Sequence, residues 1–148
     1  HVVPLQYIDT YFSVVTETLT DRLFCTEKTW KPLLCGHPFI FLSAPGLYAK
    51  LHNMGFKTFD RWIDESFDLE PDLDKRIEMI ADQVEQLMSR DLDAWLEEVE
   101  PVCRHNQQHI LTYRYTHIKT IHDRLNDFFD QVRNDAQIYF AEDGLKTL

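Results

Sequence analysis

Thr26-Glu27-Lys28-Thr29-Trp30-Lys31-Pro32-Leu33-Leu34-Cys35-Gly36-His37-Pro38-Phe39-Ile40-Phe41-Leu42 reads as a helix followed at once by a buried strand. Thr26 is placed to cap the first turn, where the Glu27 carboxylate suits the positive end of a helix. Gly36 supplies the left-handed residue that closes the last turn. His37 precedes a proline, which steers its backbone toward extended geometry. The four apolar residues after Pro38 then form a run of strand length, the pattern of a strand covered on both faces. Pro32 lies inside the helical span and removes a hydrogen bond, which predicts a kink there or a helix start nearer Thr29.

On the N-terminal side, Tyr11-Phe12-Ser13-Val14-Val15-Thr16 is β-branched and aromatic and reads as a second buried strand, parallel to the first. A strand, a helix and a strand in this order make one right-handed βαβ unit. Glu17 and Thr18 then fall at the C-terminal edge of the sheet, where open parallel sheets receive ligands. Glu17 suits hydrogen bonds from sugar or ribose hydroxyls, and it equally suits an exposed strand-end carboxylate. Thr26, Glu27, Lys28 and Lys31 gather polar groups and two cations at a helix N-terminus. That is the makings of an anion site, or of an ordinary solvated helix start.

On the C-terminal side, Ser43-Ala44-Pro45-Gly46 is a turn whose amides are placed to meet a phosphate or a sugar, or to form a plain loop. Residues 47–54 read as a short helix closed by Gly55, and Phe56-Lys57-Thr58-Phe59 as a brief third strand. Residues 60–68 are acidic and aromatic. Their spacing matches no calcium loop, so they are read as a structured loop packing Trp62 and Phe67. Beyond Pro71 the chain turns helical. Leu73, Ile77, Ile80, Ala81, Val84, Leu87 and Met88 recur at threes and fours, Asp91 caps the next helix, and Pro101 breaks or restarts it. Ile118, Ile121, Leu125, Phe128, Phe129 and Val132 mark a last helix, and residues 135–148 form a tail without firm pattern.

The run Thr26-Glu27-Lys28, a helix, a small-residue turn and Pro38-Phe39-Ile40 resembles the donor-binding signature of the α-1,3-fucosyltransferases. Glu17 stands in a position like that of the glutamate in the family's F-E-N-S, and Thr26-Glu27-Lys28 resembles the end of its Y-V-T-E-K. Thr18 replaces the family's asparagine and Phe24 its tyrosine. The likeness covers residues 11–46. Residues 15–68 are also similar to glycosyltransferase-like proteins of marine bacteria and phages. The resemblance implies a Rossmann-like donor-binding half, with a nucleotide-diphosphate sugar met by Glu17, Thr18, Thr26, Glu27, Lys28, Lys31 and Ser43. In such two-domain transferases the catalytic base comes from the acceptor-binding half, so no catalytic residue is assigned here.

The expected fold is therefore α/β, a partial Rossmann-like parallel sheet of about three strands at residues 10–60 and an all-helical part at 70–134, within a single domain. The 148 residues are enough for a core, and 44% hydrophobic content excludes a disordered chain. A net charge of -10 argues against general nucleic-acid binding. That charge is uneven. Up to residue 57 there are five Lys/Arg against four Asp/Glu, and beyond it ten against 21, so only the first part would not repel a diphosphate. Three cysteines without a C-x-x-C pair suggest reduced thiols in a cytoplasmic protein, and no apolar run has the length of a membrane span. No metal cofactor is expected. His105 and His109 are four apart but lack the glutamate of H-E-x-x-H, whose place Asn106 takes. Two function classes remain: a glycosyltransferase-like domain that binds a nucleotide sugar, and a non-catalytic interaction or oligomerisation module on the same scaffold. The missing acceptor-binding domain, or a second copy packed on the aromatic helical half, is the partner expected besides the donor.

Overall fold

The computed structural model describes the backbone of residues 5–145 and the side chains of residues 5–133. Strand β1 (Ser13–Thr16), helix α1 (Glu27–Cys35), strand β2 (Phe39–Leu42) and helix α2 (Leu47–Asn53) come first in the chain. Helix α3 (Leu73–Met88) and helix α4 (Leu92–Leu145) follow. Short 3-10 turns occupy Leu5–Tyr7 and Glu65–Leu69. The chain divides into two compact units, His1–Leu111 and Thr112–Leu148.

The protein is mixed α/β. β1 and β2 pair in parallel, with Ser13 opposite Phe39 and Thr16 opposite Leu42, as the βαβ reading requires. Phe39, Ile40 and Phe41 are all buried, so both faces of β2 are covered. Phe39 and Phe41 lie two apart, on one side of the strand, and their rings stack at 4.3 Å. Phe59 meets Phe39 edge-on at 5.0 Å, which brings the aromatic core together around β2. The far edge of β2 is closed by a side chain, for the Phe41 amide donates to the Tyr48 hydroxyl at 2.8 Å.

The expected third strand does not form. Among the described residues the sheet has two strands, and residues 56–59 pair with neither. Their backbone is satisfied by side chains instead. Buried Asn106 accepts from the Lys57 amide and donates to the Lys57 carbonyl, both at 2.8 Å, as a neighbouring peptide would. The Phe59 amide donates to Glu65 at 2.9 Å. An extended segment whose amides are met in this way needs no ladder.

Helix α1 starts at Glu27, not nearer Thr29, and runs through Pro32. Thr26 caps it, its hydroxyl accepting from the Lys28 amide at 3.2 Å. Gly36 closes it at φ +64°, a conformation that glycine adopts without strain. Pro101 likewise lies inside α4 and does not break it. Pro101 and Glu97 are both exposed, so the carbonyl that loses its partner is left to water. Residues 135–145, expected as a patternless tail, continue the same helix, and residues 146–148 lie outside the described chain.

Helix α3 corrects the apolar stripe read from the sequence. Its buried residues are Arg76, Ile80 and Leu87. Ile77, Ala81 and Met88 are exposed and line an open apolar groove of about 470 Å³ with Val14 and Leu42, a groove that Ile80 and the partly core-packed Val84 also border. In α4 the inward apolar residues of the first unit are Trp95, Val99, Cys103 and Ile110, spaced by fours and seven, as one helical face demands, with Asn106 buried among them.

Candidate functional site

Parallel pairing brings the ends of β1 and β2 to one edge of the sheet. Glu17 is the first residue past β1, and its amide still donates to the Leu42 carbonyl at 2.9 Å. Its side chain turns inward and is only 2% exposed. One carboxylate oxygen accepts from the amides of Thr26 and Thr29, at 3.1 and 3.2 Å, and from the Thr29 hydroxyl. The other accepts from the Thr26 hydroxyl at 2.6 Å. The carboxylate thus sits against the N-terminus of α1, where orphan amides and the helix dipole favour a negative charge. Burial pushes its pKa up, but the hydrogen bonds from Thr26 and Thr29 outweigh that and hold it below the usual carboxylate value. Glu17 and Thr26 therefore converge, as expected of the site, but protein donors take the acceptor positions that the sequence offered to ligand hydroxyls. This anchoring also explains why α1 begins ahead of Pro32.

Lys28 lies on the exposed side of the same turn. Its ammonium donates to the Thr16 carbonyl at 3.2 Å and to the Thr18 hydroxyl at 3.3 Å, which holds the cation at the end of β1. An ammonium has three donors, so one remains for an incoming anion. Lys28 and Lys31 border an open cleft of about 290 Å³ whose other walls include Tyr7, Ser13 and Thr16. Glu27 and Lys31 are both exposed, and of the two only Lys31 borders the cleft.

Ser43, just past β2, is at the same edge but turned away from solvent. It is buried, and its hydroxyl donates to the Ala44 carbonyl at 2.9 Å. The Gly46 amide of its turn, and the Tyr48 amide beyond it, are met by Asp68. Gly46 donates to the Asp68 carbonyl at 2.9 Å and Tyr48 to the Asp68 carboxylate at 3.1 Å. Asp68 thereby caps α2, whose N-cap glycine has no side chain to do so. Burial raises the pKa of Asp68, while hydrogen bonds from these amides oppose the rise.

Sequence reasoning missed Arg76. It is 2% exposed, and one terminal nitrogen donates to the Ser43 carbonyl. Its Nε has no partner, and no carboxylate lies within ion-pair distance among the described residues. A buried guanidinium is costly unless fully hydrogen-bonded and paired. Its position four residues before Ile80, on the inward face of α3, was the available signal. Two cations, Lys28 and Arg76, therefore each bond a backbone carbonyl at the C-terminal edge, Lys28 at the last residue of β1 and Arg76 just past β2.

The histidines singled out by the sequence are tied to the backbone. His37 is buried, with its ring edge-on to Tyr7 at 5.1 Å, and burial pushes its pKa down. His105 and His109 stack at 5.7 Å and bond the carbonyls of Gly55 and Met54 through Nε2, at 3.0 and 2.7 Å. They close the C-terminal end of α2 in doing so, where imidazole N–H groups suit the free carbonyls.

Comparison with protein-family models, curated proteins and solved structures finds no match. The chemistry open to the site therefore rests on its own residues. A helix N-terminus neutralised from within by Glu17, with a cation held beside it, offers charge to an anion at Lys28 and Lys31. Glu27 is the exposed carboxylate of the same first turn and does not line the cleft. Among the described residues no helix is long and apolar enough to cross a membrane.

Proposed function

We propose that this chain binds a nucleotide-diphosphate sugar at the C-terminal edge of β1 and β2, as the donor-binding half of a glycosyltransferase-like protein with a Rossmann-like unit. The observation that carries the reading is the placement of Lys28. Its side chain is held at the end of β1, on the first turn of α1, beside the cleft that Lys31 also borders. The resemblance to the α-1,3-fucosyltransferases along residues 11–46 supports it. Transfer would break the bond between the anomeric carbon and the diphosphate oxygen and join that carbon to an acceptor hydroxyl. Lys28 and Lys31 would stabilise the charge gathering on the leaving diphosphate. The base that takes the acceptor's proton is not assigned to this chain. The other reading, an interaction module on the same scaffold, draws on a separate observation, the exposed apolar stripe of the second unit.

Titration calorimetry against a panel of nucleotide diphosphates and their sugars tests the donor site. A hydrogen bond to a charged group contributes about 1.5–3 kcal/mol, so Lys28→Ala is expected to weaken binding by about 10- to 150-fold. Lys28 is exposed, and its loss should leave the fold intact. Lys28→Arg should recover only part, because a planar fork does not replace a point charge. No nucleotide binding by the wild type, or equal binding by Lys28→Ala, would refute the donor reading.

A further inference from the structure

The second unit carries an apolar seam with coiled-coil spacing. Ile118, Ile121, Leu125, Phe128 and Val132 recur at intervals of three, four, three and four, the a and d positions of a heptad. Each is about half exposed. A helix whose apolar stripe meets only water gains little from packing, and packing is the main source of helix stability in proteins.

The distribution of charge says what the seam can accept. The carboxylates along it, Asp123, Asp127 and Asp130, all fall at outer c and f positions. Two of them are paired within their own helix, Asp123 with Lys119 at 2.8 Å and Asp130 with Arg133 at 3.1 Å. The flanking e and g positions hold His122, Arg124, Phe129 and Gln131 and no acid. Between Ile118 and Val132, two copies of a chain with a net charge of -10 can thus meet along this face without bringing their carboxylates together, the neighbouring d positions of the frame being Arg114 and Asp135. No polar residue stands at an a or d position from Ile118 to Val132, so no buried amide or charge penalises pairing with an identical seam.

The area is sufficient. Tyr115, Phe128 and Phe129 are 74%, 58% and 54% exposed. At roughly 150–250 Å² for a whole aromatic side chain, these three leave roughly 300–450 Å² uncovered per copy. Two copies then offer roughly 600–900 Å² from aromatics alone. The half-exposed Ile118, Ile121, Leu125 and Val132 carry the total past the roughly 1,000 Å² that a specific interface requires.

We propose that the protein self-associates through this seam, a second copy of the chain covering the Ile118-to-Val132 stripe as a coiled coil. The inference is independent of the donor site, which belongs to the first unit.

Sedimentation velocity of the full chain between about 1 and 50 μM tests it. The wild type is expected to sediment as two or more copies, and Leu125→Glu, which puts a charge at the centre of the seam, is expected to weaken association at least 100-fold. Asp127→Asn, at an outer position, should associate as the wild type does. All three tryptophans, Trp30, Trp62 and Trp95, lie in the first unit, so their fluorescence reports its folding separately from the state of the seam. A monomeric wild type overturns the proposal. So does a Leu125→Glu variant that associates like the wild type, or a loss of association that Asp127→Asn shares. Dissociation confined to Leu125→Glu, with unchanged tryptophan emission, supports it.

Discussion

Glu17→Ala is expected to lower the stability of the first unit by about 3–5 kcal/mol at pH 7. The substitution strands four donors at once, two amides and two hydroxyls of Thr26 and Thr29. Thr29 is fully buried, so water cannot readily replace the lost carboxylate there. Each buried donor left without a partner costs about 1–3 kcal/mol, and loss of a helix cap about 1 kcal/mol. For a unit of this size the fall in Tm is roughly 10–20 °C. Glu17→Gln should fall between, since it keeps an acceptor for the amides but removes the charge from the helix N-terminus. The folded pKa of Glu17 is lowered, so the carboxylate's contribution is complete above its ordinary value of 4.5 and is lost as pH falls through the folded one. The difference between wild type and Glu17→Gln should therefore shrink in acid. Thermal unfolding followed by tryptophan fluorescence measures both effects, and a Glu17→Ala protein as stable as the wild type would refute the anchoring role.

The second large effect is a dependence on pH centred on Glu65. Its carboxylate accepts from the Thr58 hydroxyl at 2.7 Å and from the Phe59 amide at 2.9 Å, and His52 in turn bonds the Thr58 hydroxyl at 2.8 Å. Burial raises its pKa from 4.5 to about 7, the hydrogen bonds from Thr58 and Phe59 pulling down and the charges of Asp60 and Asp68 adding to the rise. Between those two values the folded protein holds a proton that the unfolded chain has released. Stability should therefore fall as pH rises through that window, by about 3 kcal/mol at about 1.4 kcal/mol per pKa unit. Asp68, also raised, acts in the same direction. His37 acts in the opposite one, because its folded pKa is depressed and its buried neutral form gains as pH approaches 6.5. The comparison that isolates Glu65 is with Glu65→Gln. Between pH 5 and 8 the variant should gain about 3 kcal/mol on the wild type in denaturant unfolding. Parallel curves for the two proteins would show that Glu65 is ionised throughout.

Much of the first unit was legible because its signals are local. Capping by Thr26 and closure by Gly36 each act within one turn of backbone, and the structure shows both at those residues. The run Phe39-Ile40-Phe41-Leu42 has the length and apolarity of a strand buried on both faces, and its parallel pairing with β1 agrees with the helix between them. The polar groups of the candidate site, Thr26, Glu27, Lys28 and Lys31, were legible in the same way. Tertiary structure alone decided what these groups are free to do. Glu17 serves the helix whose N-cap, Thr26, lies nine residues further on, and its acceptors are filled by Thr26 and Thr29. The third strand is lost because Asn106, 49 residues away, takes both backbone groups of Lys57. Arg76 interrupts an apolar stripe that is rotated from the one the spacing suggested, since Ile77 faces the open groove and the guanidinium faces the core. Hydrophobic period and capping leave a trace in sequence because they repeat or fall within a few residues. A hydrogen bond from a side chain to a distant backbone has no period and no fixed separation, so these partners became identifiable only when folding brought them together.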